Sequence, residues 1–403
     1  MASSSSGGPA RLAVFLPSLL VGGTQRRTLR LAHACAARGY AVDLVVVRPR
    51  GPFRQELSPL VRLVSLNPWW THLPWSARRH DNRTFENAPA LARYLRRIKP
   101  DVLLSTSNHS NRIALLAHHL ARVPTRLVLT VGNHLSPPDR SAAARSMRLL
   151  RLWLARWWYP WADAIVAVSD GVADNVAQVT GLPRTRITTI YNAVVTADLE
   201  AKMQAPLAHP WFVPGAPPVL LGAGRLTAQK DFPTLLRAYA RVRAVRDARL
   251  VILGDGKKRR QLEALARKLG LEAEIDLPGF VTNPFAYMAR AAVFVLSSRW
   301  EGFSNVIAEA LACGCPVVST DCPSGSAEIL ADGTYGRLVP VGDDVKLAAA
   351  ILCTLETPPD RQRLRARAEH FSVERATDRY LEVMLGTGGR PPACERPSFV
   401  QPS

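Results

Sequence analysis

Residues Ala292–Asp321 read AVFVLSSRWEGFSNVIAEALACGCPVVSTD, a complete strand–helix–strand unit. AVFVLSS is a short, continuous apolar run of the kind that parallel sheets bury on both faces. Ser304 or Asn305 can cap a helix that runs through Ala310 and stops at Gly314. CPVVSTD then returns as the next strand. A crossover of this form joins parallel neighbours, so the unit predicts an α/β layered architecture.

The same alternation extends in both directions along the chain. ARLAVFLP, AVDLVVV, VRLVSL, DVLLS, RLVLTV and ADAIVAVS read as buried strands, with helix-length segments such as Gln25–Arg38 and Asn111–Arg122 between them. The pattern breaks at KMQAPLAHPWFVPGAPP (Lys202–Pro218), which is rich in proline and has neither period. It restarts with PVLLGAGR, ARLVILGDG and EIDLPGF, separated by helical segments Phe232–Arg246 and Lys258–Leu269. The expected fold class is therefore α/β, with two Rossmann-like doubly wound domains in series. The boundaries are a Ser/Gly tail over 1–10, a first domain over 11–195 and a linker over 196–217. A second domain follows over 218–370, then a last helix over 371–386 and a proline-containing tail over 387–403. Ligands of such sheets bind beyond the carboxyl ends of the strands. Two facing sheets would put the site in the cleft between them.

Composition narrows the ligand. The 403 residues carry 52 Lys+Arg against 32 Asp+Glu, a formal charge of +20, with 47% hydrophobic residues. Such a chain builds real cores and is drawn to anions: nucleic acid, acidic lipid or phosphorylated small molecules. Six cysteines, among them Cys313 and Cys315 one residue apart, fit neither a disulfide framework nor a zinc site. Neutral thiols in a reducing cytoplasm are the expectation. Leu12–Val21 resembles a signal peptide only superficially, because Pro17 and Gly22-Gly23 suit a first strand and its turn better. No run approaches the roughly 20 apolar residues of a membrane-spanning helix.

Chemistry concentrates in two segments. Backbone N–H groups of Gly302, Phe303, Ser304, Asn305 and Val306, at the positive end of the helix above, make an anion site suited to a diphosphate. Glu301 precedes that helix and Glu309 lies two turns into it. A carboxylate beside a phosphate is repelled unless it accepts hydrogen bonds from neutral hydroxyls, which sugars and riboses offer in pairs. An ordinary helix would use Glu301 as a first-turn dipole partner and leave Glu309 on a solvated face. The second segment, GAGRLTAQKDFPTLL (Gly222–Leu236), puts Arg225 and Lys230 on one strand-end loop. One planar fork and one point charge there can converge on a leaving diphosphate.

These residues resemble the GT-B-fold glycosyltransferases of family 4 (group 1), the retaining enzymes that use sugar nucleotides. The signature is two glutamates separated by seven residues, Glu301 and Glu309, with Arg225 and Lys230 upstream. The likeness runs almost continuously through LPGFVTNPFAYMARAAVFVLSSRWEGFSNVIAEALACGCPVVSTDCPSGSAEIL and covers Leu12 to about Leu385. It implies a GT-B arrangement, with an acceptor-binding first domain and a last helix that packs back on it. Arg225 and Lys230 would hold the diphosphate and Glu309 the ribose hydroxyls. Glu301, with the backbone of Gly302–Ser304, would hold the donor sugar. Phe280 and Val281 would bracket the nucleobase. LLVGGTQRR resembles the glycine-rich first loop, where Gly22 and Gly23 let the backbone approach the donor. The histidine loop reads TVGNHLS, so His134 or Asn133 is the aligned residue, and His109 is a further cleft candidate. With no Asp-x-Asp motif, the expected reaction needs no metal and no cofactor beyond a nucleotide-sugar donor, UDP-linked for preference. Retention of anomeric configuration is what the resemblance implies.

The positive charge has one further focus. Arg145–Trp161, RSMRLLRLWLARWWYPW, places Met147, Leu150, Leu154 and Trp157 or Trp158 on one helical stripe, interleaved with Arg145, Arg148, Arg151 and Arg156. Trp69, Trp70 and Trp75, with Arg78 and Arg79, add a second aromatic-basic patch. A basic amphipathic helix with tryptophans suits an anionic membrane interface. A helix packed on its own sheet with snorkelling arginines reads the same. The expected enzyme is cytoplasmic, peripheral on the inner face of the cell membrane. It moves a hexose or N-acetylhexosamine to a lipid-linked or saccharide acceptor in cell-surface glycan synthesis, such as lipopolysaccharide. A GT-B epimerase or phosphorylase would not need the Glu301/Glu309 and Arg225/Lys230 set. A non-catalytic sugar-nucleotide sensor would not need it intact. A nucleic-acid partner is not expected, since no zinc finger, aromatic RNA-binding signature or basic heptad accompanies the charge.

Overall fold

The computed structural model describes residues 9–20, 22–66, 84–135 and 152–386. Of the aromatic-basic segments, Arg145–Arg151 and Trp69–Arg79 lie outside the described residues, as does the 387–403 tail and all of the 1–10 tail before Pro9. The chain forms two compact units. One comprises 1–167, 175–190 and 376–403, the other 168–174 and 191–375. Among the described residues no helix is long and apolar enough to cross a membrane.

The first unit is built on strands β1 (Arg11–Leu16), β2 (Ala41–Val46), β3 (Val61–Ser65), β4 (Val102–Ser105), β5 (Arg126–Val131), β6 (Ala164–Ala167) and β7 (Ile187–Thr189). They form one sheet in the order β3-β2-β1-β4-β5-β6-β7, every pairing parallel. Val14 pairs with Leu44 on one side and Leu104 on the other, and all three are buried. Successive residues of β1 are buried regardless of the face they point to, the mark of a sheet covered on both sides. Buried Asp43 of β2 accepts from both Arg62 of β3 and the hydroxyl of Tyr94, on the helix Thr84–Ile98. This arrangement ties an inner strand, its neighbour and a covering helix through one carboxylate. From the last helix, Val373–Leu385, Asp378 pairs with Arg38 at 2.6 Å and the Val383 carbonyl accepts from Arg126.

The second unit repeats the plan with β8 (Val219–Ala223), β9 (Arg249–Leu253), β10 (Ile275–Gly279), β11 (Val293–Leu296), β12 (Val317–Thr320) and β13 (Arg337–Val339), again parallel, in the order β10-β9-β8-β11-β12-β13. In both sheets the strand order reverses beside the first strand, at β1/β4 and at β8/β11, which opens a crevice at the carboxyl ends. Leu220, Leu250, Val293, Val295 and Leu347 fill the core, with Tyr239 wholly buried. Its hydroxyl still finds the carbonyls of Ala248 (2.8 Å) and Glu274 (3.2 Å), so the ring is buried without orphaning its polar end.

The segment expected as a linker is not irregular throughout. Leu199–Gln204 is a six-residue helix inside it, and 191–217 belongs to the second unit. Asn283 donates to the Lys202 carbonyl, and Arg290 donates to those of Met203 and Ala205. Those three bonds supply the carboxyl-end capping that a short helix running into Pro206 cannot supply for itself. The cysteines among the described residues are free thiols. Burial pushes Cys315 up to about 12 and Cys322 up to about 11, so both are neutral and inert.

Candidate active site

β8 and β11 flank the reversal in the second sheet, and the loops leaving them carry the expected chemistry. Lys230 Nζ, from the β8 loop, lies 2.8 Å from Glu301 Oε1, from the β11 loop. Both side chains are largely shielded, at 14% and 8% exposure. Ser298 Oγ donates to the same carboxylate oxygen at 2.7 Å. The charge of Glu301 is thus met by one cation and one hydroxyl, which fix the direction in which the carboxylate points.

A second set of bonds weaves the two loops together. Ser297 Oγ donates to the Lys230 carbonyl, Arg299 N to the Gln229 carbonyl, and Gln229 Nε2 to the Trp300 carbonyl. Arg299 Nε pairs with buried Asp231 at 2.9 Å, and Thr234 Oγ1 donates to the same Asp231 oxygen. Asp231 holds a left-handed backbone (φ 44°), a conformation that costs roughly 1 kcal/mol outside glycine and is sustained here by these contacts. None of Ser298, Asp231 or Arg299 carried a motif; the SSR run beside Glu301 was the available signal.

Ser304 occupies the cap position of the helix Asn305–Ala312, but its hydroxyl makes no capping bond. The expectation that Ser304 or Asn305 caps this helix through its side chain is therefore corrected. Ser304 Oγ is buried without a hydrogen-bond partner, and Asn305 Oδ1 instead accepts from Asn192 Nδ2 at 2.8 Å. The cap side chains turn aside because the chain enters the helix with ψ near 87° at Ser304, not fully extended. The free amides are also one fewer than expected, since Asn305 N donates to the Phe303 carbonyl. The N–H groups of Gly302, Phe303, Ser304 and Val306 have no partner among the described residues. Gly325 packs so closely that a Cβ there would stand 3.0 Å from Phe303 Cα, which holds this loop against the following turn.

Glu309 is buried at 9% exposure, not on a solvated face. Arg225 is exposed and its side chain has no partner among the described residues. Phe280 stands 58% exposed just after β10, with Val281 half-buried beside it. The remaining candidates lie in the first unit. Gly22 and Gly23 open the helix Gly23–Ala37 after β1. His134 follows β5 and is half-buried; desolvation lowers its pKa, so the imidazole is neutral near pH 7. Asn133 is exposed, its carbonyl accepting from Asn108. His109 pairs with Arg112 on the surface. Sequence reading missed Arg27, a buried guanidinium that donates to the Thr106 carbonyl 3.0 Å away and lies beside Gly132.

The Ser298 bond is open to a direct check. Ser298→Ala removes a hydrogen bond to a charged, buried acceptor, worth about 1.5–3 kcal/mol, so kcat/KM for the sugar-nucleotide donor that the resemblance implies should fall about tenfold or more. Steady-state kinetics indistinguishable from wild type would show that Glu301 is not oriented by this hydroxyl.

Known proteins resemble this chain in sequence and in fold. Residues 217–357 match the family described as glycosyl transferases group 1, and residues 21–198 match glycosyltransferase family 4. The N-acetylgalactosamine-N,N'-diacetylbacillosaminyl-diphospho-undecaprenol 4-alpha-N-acetylgalactosaminyltransferase of Campylobacter jejuni is 33% identical over 284 residues, 69% of this chain and 74% of that one. The lipopolysaccharide core biosynthesis glycosyltransferase LpsE of Rhizobium meliloti is 28% identical over 369 residues, 90% of this chain and 96% of that one. Anabaena HepE in complex with UDP and glucose superposes with a TM-score of 0.72 at 20% identity, over 93% of this chain and 99% of that one. WaaG, a glycosyltransferase of lipopolysaccharide biosynthesis, does so at 0.67 and 19%, over 94% and 100%. With its two parallel sheets and this run of sequence similarity along both halves, the chain belongs to the GT-B-fold glycosyltransferases of group 1.

Proposed function

We propose that this glycosyltransferase moves a hexose or N-acetylhexosamine from a UDP-linked donor to a lipid-linked or saccharide acceptor in cell-surface glycan synthesis. The proposed reaction retains anomeric configuration and needs no metal. One observation carries the reading: Lys230, the amides of Gly302–Ser304 and the orphaned Ser304 hydroxyl gather at a helix amino end beside Glu301, in the crevice of the second sheet. A diphosphate would satisfy the amides and the cation, and sugar hydroxyls would satisfy Glu301 and Ser304.

The step divides cleanly among these groups. Breaking the anomeric C–O bond leaves positive charge on the sugar and negative charge on the departing nucleoside diphosphate. Lys230, exposed Arg225 and the helix amides would stabilise that negative charge where it develops. Glu309 would take the ribose hydroxyls, Phe280 and Val281 the base. Neutral His134 would hydrogen-bond the sugar, with Gly22 and Gly23 giving the backbone room to approach. The acceptor class draws support from relatives: the Campylobacter enzyme is named for a diphospho-undecaprenol saccharide and LpsE for the lipopolysaccharide core. HepE, solved with UDP and glucose, supports a UDP-linked donor. Free thiols, four of the five described ones buried, suit the cytoplasmic face of the cell membrane.

The test is a screen of UDP-, GDP- and ADP-sugars for hydrolysis by the purified chain, with and without a chelator, followed by NMR assignment of the released sugar's first-formed anomer. Hydrolysis of a UDP-sugar that survives the chelator, with the donor's anomeric configuration kept, is expected. Strict dependence on a divalent ion, or inversion, would overturn the corresponding part of the proposal.

A further inference from the structure

Large apolar side chains are seldom left in water as a contiguous group unless something covers them. In the first unit, three tryptophans within nine residues are exposed: Trp153 at 58%, Trp157 at 60% and Trp161 at 44%, with Leu120 at 40%. Trp153 and Trp157 are one helical turn apart on residues 152–158, their ring centroids 6.0 Å from each other. The turn Tyr159–Trp161 continues the line. Buried Tyr159 anchors it from below, Trp158 stacks on Trp161 at 6.3 Å, and Trp161 stacks on His119 at 4.7 Å. His119 and Leu120 lie at the end of the helix Asn108–Ala121, so the patch spans two elements, joined by the Trp161–His119 stack.

Arginines collar it. Arg96 donates to the Leu120 and Ala121 carbonyls, and Arg186 donates to the Ala162 carbonyl, each fixing a guanidinium beside a patch residue. Arg122 follows Leu120 by two residues, and Arg156 lies between Trp153 and Trp157 in sequence; both are exposed. The adjoining carboxylate, Asp163, is engaged by the Leu127 amide at 2.7 Å.

We propose that this patch is a docking surface for an anionic phospholipid bilayer, with Trp153, Trp157 and Trp161 seated at the headgroup level and the arginines on lipid phosphates. Indole rings combine an apolar body with one N–H donor and so favour the headgroup boundary. The collar, on a chain of net charge +20, matches a negative surface. The stripe differs from the one the sequence suggests: Leu154 and Trp158 are half-buried, whereas Trp153 and Trp161 are exposed. The inference deepens the proposed function, and rests on it for its purpose, by naming the surface that would bring the enzyme to a lipid-linked acceptor.

Co-sedimentation of the full chain with phosphatidylcholine vesicles, with and without about one-third phosphatidylglycerol, tests the surface without requiring turnover. Wild type should pellet with the anionic vesicles and be released by high salt. The double variant Trp153→Ala/Trp157→Ala should bind them about tenfold or more weakly, since two half-immersed rings are lost. Arg122→Glu/Arg156→Glu should lose the preference for phosphatidylglycerol. All variants should keep wild-type hydrolysis of a soluble donor, which separates failure of this surface from failure of the proposed function. Wild type remaining in the supernatant, equal binding by the tryptophan variant, or indifference to phosphatidylglycerol would overturn the proposal. So would light scattering that finds a dimer dissolved by the tryptophan substitutions while vesicles are ignored.

Discussion

Lys230→Ala is expected to lower turnover by about a hundredfold or more, the scale of losing one preorganised group at a developing charge. The side chain has two duties, and the variant removes both. Its ammonium neutralises Glu301 across 2.8 Å, and in the proposed reaction it faces the leaving diphosphate. Without it, a nearly buried carboxylate keeps Ser298 as its remaining named donor. Leaving a shielded charge without its partner costs about 3 kcal/mol, so thermal stability should fall along with kcat. Arg225→Ala provides the contrast. Arg225 is exposed and has no side-chain partner among the described residues, so its loss should leave the melting temperature unchanged while donor kinetics worsen. Turnover near wild type in Lys230→Ala would remove Lys230 from the mechanism, and a stability change in Arg225→Ala would show a structural role for that guanidinium.

The second large effect concerns the frame under those residues. Gly254 follows β9 with φ at 127°, a region that side chains scarcely enter. A Cβ there would stand 2.1 Å from the Gly224 carbonyl oxygen and 2.9 Å from its carbon, backbone that has no rotamer in which to retreat. Gly224 in turn donates to the Leu253 carbonyl at 2.9 Å, so the β8 and β9 ends are knitted at one spot just before Arg225. Gly254→Ala should therefore cost about 3–5 kcal/mol in urea unfolding, and weaken donor binding in the fraction that folds. Gly270→Ala is the control. Its φ of 70° is also left-handed, but nothing lies within 4 Å of the added atom, so the cost should be about 1 kcal/mol. Equal midpoints for the two variants would mean that the Gly254–Gly224 approach is not what fixes this loop.

The parallel sheets were legible because strands covered on both faces leave unbroken apolar runs: AVDLVVV and AVFVLSS need no context to be read. β7 and β13 were not, since three residues at a sheet edge, such as Arg337–Val339, carry no period. The helix Leu199–Gln204 was hidden for another reason, its carbonyls being capped by Asn283 and Arg290 from some 80 residues away. The site divides the same way. Charged residues at fixed spacing, such as Glu301 and Glu309, announce themselves. Ser298 matters through a bond to Glu301 within its own loop, and Asp231 and Arg299 through a bond between two loops 68 residues apart, a pairing that exists only after the sheet has placed β8 beside β11. The Ser304 cap misled because local sequence specifies a good capping residue, whereas the chain enters the helix with ψ near 87° at Ser304 and leaves the hydroxyl without a capping bond.

The most direct measurement is the structure of crystals soaked with UDP in the presence of a chelator. The diphosphate should lie within hydrogen-bond distance of Lys230 Nζ and the amides of Gly302–Ser304, with Arg225 drawn onto it. A diphosphate held elsewhere, or held there only when a divalent ion is supplied, would contradict the account.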